Sequence, residues 1–277
     1  MKVLKTKAEF RAARATFGDL GFAPTMGFLH EGHLSLMRRA KAENGAAAAS
    51  IFVNPTQFAP GGDFDTYPRA LERDLAMLES ASVDLVFTPD AAEMYPPGFD
   101  ARIEIGGVSE GLEGAARPGH FVGVATVVTK LLNIVQPTRA YFGQKDAQQA
   151  AVIRKLAADL DMPVQIVIAD TVREADGLAL SSRNSYLSAQ ERRAASVLYR
   201  ALSRARTLFE RGERDAGALR RTVLATLADE PLARPDYVSV ADPITLKALD
   251  AVGPPGALIF LAAEVGPARL IDNILVG

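Results

Sequence analysis

The sequence predicts an α/β chain, in which a doubly wound parallel sheet is followed by a second, smaller α+β domain. Three observations carry that prediction. Short apolar runs alternate with helical patterns through the first two thirds of the 277 residues, and strand–helix alternation calls for a parallel sheet covered on both faces. After about residue 170 the rhythm changes to longer helical stretches and then to short strands. The composition, 48% apolar and 23% charged, suffices for a large core beneath a well-solvated surface.

Taken in order, the apolar runs predict strands over residues 20–23, 48–53, 84–87, 139–142 and 164–169. Between them the patterns predict helices over 34–44, 70–81, 123–133 and 147–160, with Leu71, Leu75 and Leu78 on one apolar face. Farther on, Ser188 and Glu191 have capping-box spacing and open a long helix ending near Gly212. A helix over 215–228 follows, then strands over 237–240, 257–263 and 270–275. These elements divide the chain into residues 1–171 and 172–277.

Bulk chemistry removes several classes of function. Lys plus Arg total 31 against 33 for Asp plus Glu, so no basic excess invites nucleic acid or an anionic membrane. With no cysteine, there is no disulfide, no thiolate metal site and no cysteine nucleophile. The first residues mix charge with helix formers, and the longest apolar runs, near 46–53 and 257–263, are about half a membrane span. A cytoplasmic protein is the expectation.

The three histidines fall in two short segments. His30 and His33 end PTMGFLHEGH (24–33), between the first predicted strand and the helix expected from Leu34. Ligands of open α/β sheets bind beyond the carboxyl ends of the strands, where a helix N-terminus suits a phosphate. Gly27 and Gly32 let backbone approach a ligand, and two imidazoles there can stabilise developing charge. By itself this pattern fits a nucleotide site and a plain helix cap alike. The spacing is not that of a zinc HExxH helix, and no G-x-G-x-x-G follows the strand.

Three more segments reach the same rim. NPTQF (54–58) follows the second predicted strand and carries Gln57. GQKD (143–146) follows the strand ending at Phe142, with Lys145 beside a glycine turn that suits phosphate. Gln149 lies on the stripe continued by Ile153, Leu156 and Leu160, where a polar amide calls for a partner such as a ligand. The segment 176–184 offers Ser181, Ser182 and Arg183, which fit a capped turn with a solvated arginine as well as a loop able to close over a triphosphate.

PTMGFLHEGH, FVNPTQF (52–58), RPGHF (117–121), FGQKDAQQ (142–149), LSSRN (180–184) and LIDN (270–273), in this order and spacing, resemble the pantothenate synthetase family of HxGH nucleotidyltransferases. The resemblance covers nearly the whole chain. It implies a Rossmann-like first domain, a small second domain that closes over the nucleotide, and a homodimer. It also implies ATP as substrate with Mg²⁺, and the condensation of pantoate with β-alanine through pantoyl adenylate, in pantothenate and coenzyme A biosynthesis.

Residue by residue, the resemblance implies that Met26, Gly27, Phe28, Leu29, His30, Glu31, Gly32 and His33 line the ATP site. His33 takes an acid role and His30 contacts phosphates. Gln57 and Gln149 hold pantoate through its oxygens, with Met26 nearby. Gly143, Gln144, Lys145 and Asp146 meet the nucleotide, Lys145 on its phosphates. Val172 lies against adenine, and Leu180, Ser181, Ser182 and Arg183 bind triphosphate. Ala147 departs from the family's usual aromatic residue, which removes bulk but no reactive group.

Overall fold

The computed structural model describes residues 1–59 and 61–277. The chain forms two compact units. One comprises Met1–Gly143 with Gln149–Asp170, the other Gln144–Gln148 with Thr171–Gly277.

The first unit is a six-stranded sheet in the order β1-β4-β3-β2-β5-β6, every adjacent pair parallel. Its strands are β1 (Lys2–Leu4), β2 (Gly21–Thr25), β3 (Ala47–Ile51), β4 (Leu85–Phe87), β5 (Arg139–Gly143) and β6 (Gln165–Ala169). The helices are α1 (Lys7–Arg14), α2 (Glu31–Asn44), α3 (Leu71–Ser80), the short α4 (Ala91–Met94) and α5 (Glu113–Ala116), α6 (His120–Val135) and α7 (Ala147–Asp159), the last from Gln149 onward. From β2 the chain steps outward through β3 to β4, then returns to the other side of β2 for β5 and β6. The winding therefore reverses between β2 and β5, the place where such sheets open to ligands.

Pro24 opens that place. Gly21 N–H bonds to Ala46 O and Thr25 O accepts from Phe52, so odd residues of β2 face β3. Leu20 O accepts from Thr138, so even residues face β5. The donor that proline lacks is thus one β5 would have received. Pairing of β2 with β5 stops at Phe22↔Ala140, while β2–β3 runs on to Thr25↔Ile51 and β5–β6 to Gly143↔Ala169.

Glycine also sets how closely α2 lies on β2. A Cβ at Gly21 would meet Asn44 Nδ2 at 2.5 Å and Ala40 O at 2.9 Å. Beside this contact the fully buried Tyr141 donates to Glu43 Oε2 (2.8 Å) and accepts from Asn44 Nδ2 (2.7 Å). Burial first, then Glu43, push its phenol up to about 12.

In the second unit, α8 (Ala189–Ala194), α9 (Val197–Glu210) and α10 (Ala216–Ala228) precede an antiparallel sheet of β7 (Ala233–Ala241), β8 (Ala257–Val265) and β9 (Ala268–Val276). Leu198, Leu202, Leu219, Val223 and Leu227 share one buried core with Ile259 and Leu261. Ser188 caps α8 through the capping box with Glu191.

The α/β class and the central strands and helices are as the periodicity predicts, with four differences. The short elements β1, α1, α4 and α5 lie outside the expected set, because a strand of three residues and helices of four to eight span too little chain for a period to be read. α2 starts at Glu31, not Leu34, because His30 takes the extended cap conformation (φ −141°, ψ 174°). The long helix expected from 188 to 212 breaks after Ala194 into α8 and α9. Finally, Leu71 and Leu160 are 45% and 50% exposed, so neither apolar stripe runs its full expected length.

Removing Leu156, which is fully buried, should cost about 2–5 kcal/mol as Leu156→Ala. Leu160→Ala should shift stability by less than about 0.5 kcal/mol. Urea unfolding of the two variants checks the difference.

Candidate active site

Between β2 and α2 the backbone turns sharply, with φ +85° at Gly27 and +50° at Phe28. The N–H groups of Gly27, Phe28 and Leu29 each have an acceptor, as a half-buried loop requires. Gly27 donates to Thr25 Oγ1 (3.2 Å), whose own hydroxyl donates to Ser50 O (2.7 Å). Phe28 and Leu29 donate to the two oxygens of Asp74 at 2.7 and 2.8 Å. Asp74 is 1% exposed and sits on the face of α3 that the apolar stripe was expected to fill. Arg73 donates to Leu29 O (2.9 Å), and its guanidinium stands 5.1 Å from the Phe28 ring.

The turn delivers His30 as the cap of α2 and His33 into its first helical turn, where the helix dipole favours an anion. The two rings lie 4.0 Å apart, centre to centre. His33 Nδ1 accepts the backbone N–H of His30 (3.3 Å), which puts the proton of the neutral His33 ring on Nε2. Glu31 begins the helix and pairs with Arg38, which holds its carboxyl below the usual range.

After β3, Asn54 caps a 3-10 turn over Pro55–Gln57. The hydrogen bonds settle which way both amides point. Thr56 N–H and Tyr95 OH bond to Asn54 Oδ1 (3.4 and 2.7 Å), so Asn54 Nδ2 is the atom facing Gln57 Oε1 (3.0 Å) and Gly123 O (3.2 Å). Gln57 Oε1 is thereby engaged, and Nε2 lies 3.1 Å from Met26 Sδ. The buried Gln57 presents donors beside Met26. The turn sits on the first turns of α6, where a Cβ at Gly123 would meet Thr56 O at 2.3 Å. His120 Nδ1 reaches Gln57 O at 2.9 Å.

In α7 the buried amide is Gln148 (4% exposed), while Gln149 is half-buried. Gln149 shares its face of the helix with the fully buried Ile153 and Leu156 and stands at the half-buried end of that stripe, next to Gln148.

The second unit carries the remaining motif residues. Gln144–Asp146 form a 3-10 turn clasped by the buried Asn273. Gln144 Nε2 donates to Asn273 Oδ1 (3.0 Å), and Asn273 Nδ2 donates to Gln144 O and Lys145 O (both 2.9 Å). Lys145 Nζ lies 3.8 Å from Asp146 Oδ1. Val172 and Leu180 face each other across a tight hairpin, Leu180 N–H on Val172 O at 3.0 Å. Its turn uses Gly177 at φ +89°, where a Cβ would strike the Tyr199 ring at 2.0 Å. Arg173 stacks 4.2 Å from that ring and bonds both oxygens of Asp272 (2.6 and 2.9 Å). Burial pushes the Asp272 carboxyl up, and Arg173 opposes the push. Next to the hairpin, Ser181 accepts Arg183 N–H (3.3 Å) and caps the turn Ser182–Tyr186.

A cavity of about 470 Å³ is lined by Thr56, Phe99, Arg102, Val122, Gly123 and Thr126 among others, and by none of the predicted site residues. Among the described residues no cluster of three or more His, Asp or Glu side chains is placed to hold a metal ion.

The family model described as pantoate-β-alanine ligase matches residues 2–275. The chain belongs to that family. A pantothenate synthetase of Herpetosiphon aurantiacus is 60% identical over 276 residues, which cover 100% of each sequence. The crystal structure of pantothenate synthetase from Thermus thermophilus superposes with a TM-score of 0.95 at 49% identity, covering 99% of both chains. That of the pantoate-β-alanine ligase of Francisella tularensis, complexed with β-γ ATP and β-alanine, gives 0.83 at 36% identity, covering 99% of this chain and 97% of that one.

In this ligase-family chain the residues that hold the motifs in place are Asp74, Asn54, Asp272 and Asn273, none of which has a role in the sequence pattern. Asp74 was hidden inside an apolar stripe. Asn54 lay within a quoted motif but had no task. Asp272 and Asn273 form a polar pair inside the apolar strand LIDNILV. Asp74→Ala would leave two buried N–H groups without their charged acceptor and should cost about 3 kcal/mol or more. Gly123→Ala should cost about 1–3 kcal/mol by overpacking. Denaturant midpoints of both variants test these placements.

Proposed function

We propose that the protein condenses (R)-pantoate with β-alanine to form pantothenate, consuming ATP and releasing AMP and pyrophosphate. The observation that carries this reading is the pair His30 and His33 at the start of α2, beside the split between β2 and β5. A helix N-terminus with a proton on His33 Nε2 suits the phosphates of a nucleotide. Family membership supplies the two other substrates.

A pantoate carboxylate oxygen attacks the α-phosphorus of ATP, and the bond to the bridging oxygen breaks as pyrophosphate leaves. The β-alanine nitrogen then attacks the acyl carbon of pantoyl adenylate, loses a proton and expels AMP. In this reading Met26–His33 line the nucleotide, with His33 as acid or charge stabiliser and His30 on phosphate. Gly143–Asp146 meet the nucleotide, with Lys145 on its phosphates, Leu180–Arg183 bind the triphosphate, and Val172 lies against adenine. Gln57, Gln149 and Met26 form the acid subsite, where the donor face of Gln57 meets pantoate oxygens. Mg²⁺ arrives as part of the ATP substrate, charge neutralisation being its share of phosphoryl transfer. Residues 1–171 bind ATP and pantoate, and residues 172–277 bring the triphosphate strip. The active form is a cytoplasmic homodimer.

Omitting each substrate in turn tests the reaction. AMP and pyrophosphate should form only with ATP, Mg²⁺, pantoate and β-alanine at steady state, and ADP with phosphate would replace this mechanism by an acyl-phosphate one. Without β-alanine, rapid quench should show a pyrophosphate burst of about one equivalent per site, because a sequestered adenylate is shielded from water. A burst absent until the amine is added would mean a concerted reaction.

Substitutions test the residues. His33→Ala and Lys145→Ala should lower kcat about 10²–10³-fold in folded protein. Gln57→Ala and Gln149→Ala should raise the KM for pantoate well above that for ATP, by the equivalent of about 1–3 kcal/mol each. A selective change in the ATP constant would exchange the two subsites.

A further inference from the structure

RPGHF is the one histidine-bearing segment to which the reaction gives no task. We infer that His120 is a positioning residue, held as the neutral Nδ1–H tautomer, that orients Gln57 for the acid substrate; this rests on the reading of Gln57 as a pantoate ligand. His120 opens α6 after Gly119, whose φ of +81° turns the chain into the helix. Its Nδ1 lies 2.9 Å from the backbone oxygen of Gln57. A carbonyl only accepts, so Nδ1 carries a proton. Its Nε2 lies 3.3 Å from Arg117 Nη1. A guanidinium only donates, so Nε2 is the unprotonated nitrogen. The neutral Nδ1–H ring alone meets both demands, whereas an imidazolium would set a second donor against the arginine. Arg117 Nη2 also reaches Gln57 O, at 3.5 Å.

The consequence falls on the Gln57 side chain. Its carboxamide oxygen is engaged by Asn54 and its backbone oxygen by His120, so the residue is held at both ends. Its Nε2 donates to Met26 Sδ, which fixes where the second N–H of that amide is aimed. Loss of the His120 bond leaves the backbone end on the longer Arg117 contact alone, and the donors lose their fixed aim while the nucleotide contacts are untouched.

The test combines a spectroscopic and a kinetic readout. With three histidines in the chain, long-range ¹H–¹⁵N spectra of the protein can be assigned by substitution, and His120 should show the Nδ1–H pattern at neutral pH. An Nε2–H ring or an imidazolium there would overturn the inference. His120→Ala should raise the KM for pantoate about tenfold and leave that for ATP unchanged, the scale of one net hydrogen bond. His120→Asn, which restores a donor near Nδ1, should recover most of the loss, and His120→Gln, which reaches toward Nε2, should not. Equal recovery by both, or parallel changes in both KM values, would make the residue merely structural. Gln57→Ala run alongside separates the failures. A normal pantoate KM in that variant overturns the site reading, whereas a raised one beside a normal value in His120→Ala overturns this inference alone.

Discussion

A missing hydrogen-bond donor organises the first unit. Pro24 lies in a central strand, where a proline is normally excluded, and its absent N–H falls on the side of β5. The sheet therefore parts at the carboxyl ends of β2 and β5 while each strand keeps its other neighbour. A split at the reversal of winding exposes strand ends that must then be finished by loops. The loop after β2 can turn within so short a distance because Gly27 and Phe28 adopt positive φ, and that strain is held by Asp74. A carboxylate suits the task, because it accepts two N–H bonds and each is stronger for the charge. The cost is a buried charge on α3, offset by those bonds and by Arg73, 3.9 Å away at the surface.

The loop after β3 follows the same logic with neutral groups. Backbone donors cannot change role, and Thr56 N–H therefore decides how Asn54 lies, which in turn decides how Gln57 lies. The Gln57 side chain therefore offers donors, a property invisible in the motif NPTQF. α6 makes the arrangement possible by having no side chain at Gly123, so that helix and turn touch through backbone.

In the second unit the burden falls on β9. Asp272 and Asn273 are 2% and 3% exposed within an otherwise apolar strand, and each secures a different motif segment. Asp272 holds Arg173, and through it the hairpin of Val172 and Leu180. Asn273 holds the turn of Gln144 and Lys145. Buried polar groups are costly unless fully bonded, so this pair stays in place only with both segments docked. The LIDN motif thus braces two other motif segments.

Local pattern determined a good deal by itself. Alternating apolar runs gave the parallel sheet, turn residues located the loops, and the motif segments carried the family, because periodicity and turn chemistry act over a few residues. Helix ends came out less sharply, since the cap at His30 depends on its conformation rather than on a Ser or Asp. What folding alone decided are contacts between residues far apart in the chain. Asp74 meets Phe28 across 46 positions, His120 meets Gln57 across 63, and Asn273 meets Gln144 across 129. Which amide in α7 turns inward, and which way Asn54 and Gln57 point, belong with these. A side chain's hydrogen-bonding role is set by the donors and acceptors around it, and those are brought together only by the tertiary structure.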